Sequence, residues 1–201
     1  MVGGAMSVIH FATHPPGETS EFVRQAIWVP THVLGYIGFM IVVLGSVGWY
    51  SNYSSKLGRM GLLGFLLFFF GAATVGGGLL WGGAVFQSLL VETNPSVHDS
   101  IVTSVNGGIV ILVLSSLAFL LGYLIFTSTI VRARVPPRWG IWLLVVSTLG
   151  ILLLLGGTAI SSSVATTGPV LAGEVLTFGS IVGWGYALNL AQKDSGTSQN
   201  P

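Results

Sequence analysis

Apolar runs too long for a water-soluble core govern what this chain can become. Met60 to Val91 and Ile101 to Ile130 each exceed the roughly 20 residues that a helix needs to cross a hydrocarbon layer of about 30 Å. Three further runs of about that length accompany them. In lipid every backbone donor and acceptor must be satisfied within the segment, which a helix does and an isolated strand does not. The expected fold is therefore all-α: a polytopic integral membrane protein of five transmembrane helices, at about 28–50, 60–91, 101–130, 139–160 and 170–190.

Composition supports that class. Of 201 residues, 52% are hydrophobic and only 6% charged, where a soluble domain carries about a quarter charged residues. The 29 glycines suit helices that pack closely in lipid. A formal charge of +1 with no basic cluster gives no reason to expect nucleic acid. Cysteine is absent, which excludes disulfides, thiolate ligands, cysteine nucleophiles and thioether-linked haem.

Residues 1–27 form an extracytoplasmic segment in this reading, because Met1 to Thr13 has no basic start and only a weak apolar stretch, unlike a cleavable signal. His14-Pro15-Pro16-Gly17 forces a turn, and Glu18 to Gln25 suits a short surface helix. The run 60–91 outlasts a bilayer core and must tilt, kink or project, with Gly76, Gly77, Gly78, Gly82 and Gly83 as the place for a bend. Residues 191–201 are polar and are expected to be a disordered cytoplasmic tail.

Lys56, Arg59, Arg132, Arg134, Arg138 and Lys193 fall on one side of the five runs, and only Arg24 on the other. The positive-inside rule makes the first side cytoplasmic, in the cell (inner or cytoplasmic) membrane, with the N-terminus outside and the C-terminus inside. The outer side then holds His10, His14, His32 and His98, with Glu18, Glu21, Glu92, Asp99 and Glu174. That rule does not demand such an accumulation.

Ionisable groups near this depth are costly unless they face water, protein or each other, so each is a site candidate. Near helix ends such side chains also simply reach headgroups or pair among themselves. Glu174 is the deepest and has no basic neighbour in sequence. Asn106 suits an interhelical hydrogen bond, while His10 and His14 belong to a mobile, solvated stretch in this reading.

His32 and His98, at similar depth on different helices, match the way a helical bundle ligates haem b, with Glu174 as a further cofactor-binding candidate. The same imidazoles with Glu92 are the candidate metal ligands. Gly76 to Gly83 could supply a groove, and Arg24 a partner for a propionate. Small residues four apart, Ala72 with Gly76, Ala73 with Gly77, Gly78 with Gly82 and Gly179 with Gly183, point first to helix packing. Trp28, Trp49, Tyr50, Tyr53, Trp139 and Trp142 read as interface belts, with Trp81 and Trp184 deeper.

No catalytic motif is present: there is no zinc-protease His-Glu-x-x-His, no Gly-x-Ser-x-Gly and no Asp-rich pair, and Ser161-Ser162-Ser163 lacks a neighbouring base. Five runs also do not divide into the two equal repeats of many transporters.

Three strings carry a resemblance: Trp28, Pro30, His32, Leu34 and Gly35; Gly58-Arg59-Met60-Gly61-Leu62-Leu63-Gly64-Phe65; and Val135-Pro136-Pro137-Arg138-Trp139-Gly140-Ile141. They resemble a group of small multi-span bacterial membrane proteins over most of residues 14–190. The resemblance brings no activity with it, and implies that His32 belongs to a recurring start of the first helix.

The expectation is a non-catalytic membrane component or complex subunit that binds a partner, lipid or cofactor through its outer-face polar cluster, among membrane lipid and other subunits or copies of itself. The alternative is a haem-b or metal protein for electron transfer with His32 and His98 as ligands. A third is an enzyme on a lipid or quinone, with Glu174 or Glu92 carrying a proton.

Overall fold

The computed structural model describes residues 1–102, 104, 107–135, 137–160 and 168–197, with backbone alone for 107–109, 154–160, 168–170 and 191–197. Asn106 and Ser161-Ser162-Ser163 lie outside the described residues. All regular structure among the described residues is helical: α1 (Val2–Thr13), α2 (Ser20–Val23), α3 (Trp28–Gly77), a π-helix (Gly78–Gln87), α4 (Ser88–Thr93), α5 (Pro95–Val102), α6 (Gly107–Arg132), α7 (Gly140–Ile160) and α8 (Gly168–Thr197).

Among the described residues three helical stretches are long and apolar enough to cross a membrane: Trp28–Thr93, Val110–Arg132 and Leu171–Leu190. Large apolar side chains lie on their outer surfaces, Leu44 at 71% exposure and Phe70 at 62% among them. Water would penalise such a surface and hydrocarbon would not.

The first stretch does not run straight. Gly58 takes φ 62° and ψ −166°, a conformation that only glycine adopts without cost. The residues on its two sides meet: the Trp28 indole N–H donates to the Gly83 carbonyl across 3.0 Å, and Gly76 packs on Phe39. The two arms, 28–57 and 59–93, are therefore an antiparallel pair. Helix continues through the polar residues 51–57, which lie between the expected spans 28–50 and 60–91.

At the expected bend the chain widens into the π-helix rather than breaking, and Gly83 sits inside it. The run 101–130 is also divided differently. Pro95–Val102 is a separate short helix that carries His98, and α6 starts only at Gly107. At the other end α8 extends to Thr197, so most of the expected disordered tail continues the helix.

Glycines set the packing of α6 on the second arm. A Cβ on Gly64 would stand 2.6 Å from the Phe126 nitrogen, and one on Gly71 or Gly122 would collide with the backbone of Phe119 or Phe68. Of the small pairs singled out in the sequence, Gly76 and Gly183 meet neighbours, but Gly77, Gly82 and Gly179 face open space. Helices α7 and α8 form their own close pair at Gly150 and Thr177.

The core is an aromatic knot. Phe178 of α8 lies 5.1 Å from Phe11 of α1, 5.4 Å from Phe39 of α3 and 5.9 Å from Phe119 of α6, between ring centroids. Trp184 is fully buried while Trp81 is 68% exposed, so only one of the two deeper tryptophans is a core residue. Trp28 is fully buried as well, which removes it from the expected interface belt.

Candidate functional site

The site is built where α1 and the turn after it close over the start of α3. Helix α1 lies in the groove between α3 and α8: a Cβ on Gly3 would stand 2.6 Å from the Gly38 carbonyl oxygen, and one on Gly4 3.0 Å from that of Phe178. This packing buries His10 at 1% exposure and contradicts the expectation that it is solvated in a mobile stretch. Two glycines and Ser7 at helical spacing let α1 sink that far, and the apolar character of the segment is too weak to show it.

Three imidazoles come together there. Ring centroids of His10 and His14 are 5.5 Å apart, those of His10 and His32 5.8 Å, and those of His14 and His32 4.9 Å. His32 also lies 4.2 Å from the Trp28 ring. Glycines make room: a Cβ on Gly35 would stand 2.8 Å from the His10 ring, and one on Gly83 would collide with His32.

Backbone carbonyls orient all three rings the same way. His10 Nδ1 lies 2.9 Å from the Thr31 oxygen, His14 Nδ1 2.7 Å from that of Pro15, and His32 Nδ1 2.8 Å from that of Trp28. A carbonyl only accepts, so each Nδ1 carries the proton and each neutral ring is left with an Nε2 lone pair. His14 Nε2 and His32 Nε2 then face each other at 3.3 Å. Two bare lone pairs at that distance repel, and a positive charge between them relieves the repulsion.

Burial pushes the His10 imidazole down to about 4, opposed by its bond to Thr31 and reinforced by His14 and His32. It is neutral at physiological pH. Around the rings, Thr13 and Thr31 join hydroxyls across 2.6 Å. Gln87 donates to Glu18 across 3.2 Å, which ties the segment after His14 to the π-helix.

His98 belongs to a second cluster. It is fully buried, with Nδ1 3.0 Å from Asp99 Oδ1, and its Nε2 has no hydrogen-bond partner among the described residues. Asp99 also receives the Ser20 N–H at 2.7 Å and the Ser20 hydroxyl at 2.8 Å, so α5 is clasped to α2. The His98 and Ser20 hydrogen bonds hold the Asp99 carboxyl below the usual aspartate range.

The predicted ligands are thus not one group. His32 is in ring contact with His10, His14 and Trp28, while His98 pairs with Asp99. Glu92 is exposed. Glu174 is half-buried on α8, apart from the three imidazoles. Arg24, the expected propionate partner, reaches the Val91 carbonyl at 3.3 Å. Among the described residues no three His, Asp or Glu side chains form a ready-made metal-binding group.

His32 was a candidate from the sequence, whereas its ring neighbours His10 and His14 were expected to be solvated. The available signal was the spacing of His10 and His14, four apart and so on one helical face if α1 continues to its end. Comparison of the chain with protein-family models, curated proteins and solved structures finds no match.

Proposed function

We propose that this chain is a non-catalytic, five-span component of the cell membrane, N-terminus outside and C-terminus inside, whose outer-face cluster of His10, His14 and His32 binds a cationic ligand. The observation that carries the binding is the opposed Nε2 pair of His14 and His32 at 3.3 Å, both Nδ1 atoms being committed to carbonyls. The arms on either side of Gly58 count as two spans, since one helix of 66 residues would be about 100 Å long, some three bilayer cores. α6, α7 and α8 supply the others. Lys56 and Arg59 flank the Gly58 turn, whereas the imidazoles lie at the opposite end of the arms, which supports placing the cluster outside.

Orientation is tested with single cysteines, which the parent chain lacks. A membrane-impermeant maleimide added to intact cells labels Ser96→Cys and leaves Ser55→Cys unlabelled until the cells are opened; the opposite pattern inverts the topology. Binding is tested on the detergent-purified full chain by following its thermal midpoint with pH and with added divalent cations. His14→Ala abolishes the cation-dependent part of that response, and an unchanged response in this variant overturns the binding role.

A further inference from the structure

The separation of the His14 and His32 nitrogens matches the spacing of two ligands on one metal ion. Two nitrogens bound at about 2.0–2.1 Å to one tetrahedral ion stand about 3.3–3.4 Å apart. The His14 and His32 Nε2 atoms are 3.3 Å apart. In metal sites the ligating imidazole donates its other N–H to a carbonyl or carboxylate, which fixes the ring and raises its basicity. Both rings already do this, through Pro15 and Trp28. His10 does so through Thr31, with its ring in contact with both others.

The pocket is shaped for imidazole nitrogens. Trp28, fully buried and bonded to the Gly83 carbonyl, backs His32, and Gly83 leaves the space that the ring fills. Glu18, held by Gln87, adds negative charge four residues after His14. Imidazole favours late first-row divalent ions over magnesium or calcium, which prefer oxygen.

Resting on the reading of this cluster as a cation site, we propose that His14 and His32 chelate a divalent ion of the zinc and copper class through their Nε2 atoms, with water completing the coordination. The ion bridges the turn after α1 to the start of α3 and so closes the N-terminal segment over the bundle.

The test uses the full chain in detergent, purified without a histidine tag, with zinc as the probe in equilibrium dialysis and cobalt as a spectroscopic substitute. One zinc per chain is expected, with the intense visible bands of tetrahedral cobalt. His14→Ala, on a half-buried turn that tolerates truncation, weakens zinc binding about tenfold or more, and His32→Gln does the same if it folds. His98→Ala leaves binding unchanged. Equal affinity in His14→Ala and the parent, or loss of zinc only in His98→Ala, overturns the proposal. A parent that takes up no zinc but loses a pH-dependent midpoint shift in His14→Ala also overturns it, while leaving a proton as the cation and the broader reading intact.

Discussion

At the residue scale, the adjacent glycines Gly82 and Gly83 separate packing from helix propensity. A Cβ at 83 would collide with the His32 ring, whereas one at 82 meets nothing within 4 Å. Gly83→Ala is expected to push His32 off its contacts with Trp28 and His14 and to cost about 1–3 kcal/mol. Gly82→Ala is expected to be neutral or slightly stabilising. Denaturant unfolding in detergent measures both, and equal effects would disprove a steric role for Gly83. His32 was legible in the sequence because it follows Trp28 and Pro30 where an apolar run begins. Its partners were not, since what brings His10 to it is the depth to which Gly3, Gly4 and Ser7 let α1 sink, and a weakly apolar stretch does not display a packing partner.

Elements in this protein are joined by turns whose chemistry can be tested singly. Gly58 has open space around it, so its role is conformational alone. Any side chain at φ 62°, ψ −166° is strained by about 1–3 kcal/mol. Gly58→Ala is expected to lower the thermal midpoint, and Gly58→Asn to do no better, because this region lies outside the left-handed helical zone that asparagine tolerates. The clasp of α5 on α2 is instead set by charge. Folding depresses the Asp99 pKa, so the unfolded chain takes up the proton more readily. The clasp contributes fully above the ordinary aspartate value of 3.8 and is lost as pH falls through the lower folded value. The protection factor of the Ser20 amide, its exchange rate relative to an unstructured peptide at the same pH, is expected to fall in acid over that window, and in Asp99→Asn to be roughly tenfold lower already at neutral pH. An acid-insensitive protection factor in the parent would rule the clasp out. The sequence showed a polar break at 51–59 and a proline stop before His98. It did not show that helix runs to Leu57 or that residues 95–102 form a separate helix, because apolar length alone does not locate a backbone reversal.

For the whole molecule, apolar length was visible in the sequence, and three stretches among the described residues are long and apolar enough to cross a membrane, but the wedge packed against them was not visible. Helix α1 has only 12 residues, about 18 Å, too short to cross a bilayer. It nevertheless reaches from the histidine cluster into the groove between α3 and α8, where Phe11 meets Phe178 and Met1 lies beside Gly185. Its fit depends on Gly3 against Gly38, where backbone meets backbone and no side chain can yield. Gly3→Leu is therefore expected to lift α1 as a unit while the long helices keep their own contacts. Helical circular dichroism should stay near the parent's, and His10, 1% exposed in the parent, should become reactive to diethyl pyrocarbonate. Ala5→Leu, on the exposed side of the same helix, should leave His10 protected. If α1 is an independent cap on a preformed cluster, His10 will be exposed and the His14–His32 pair will still respond to cations. If α1 is integral to the site, both will be lost together, and the rigid contact at Gly3 together with the His10 rings against His14 and His32 favours that second outcome.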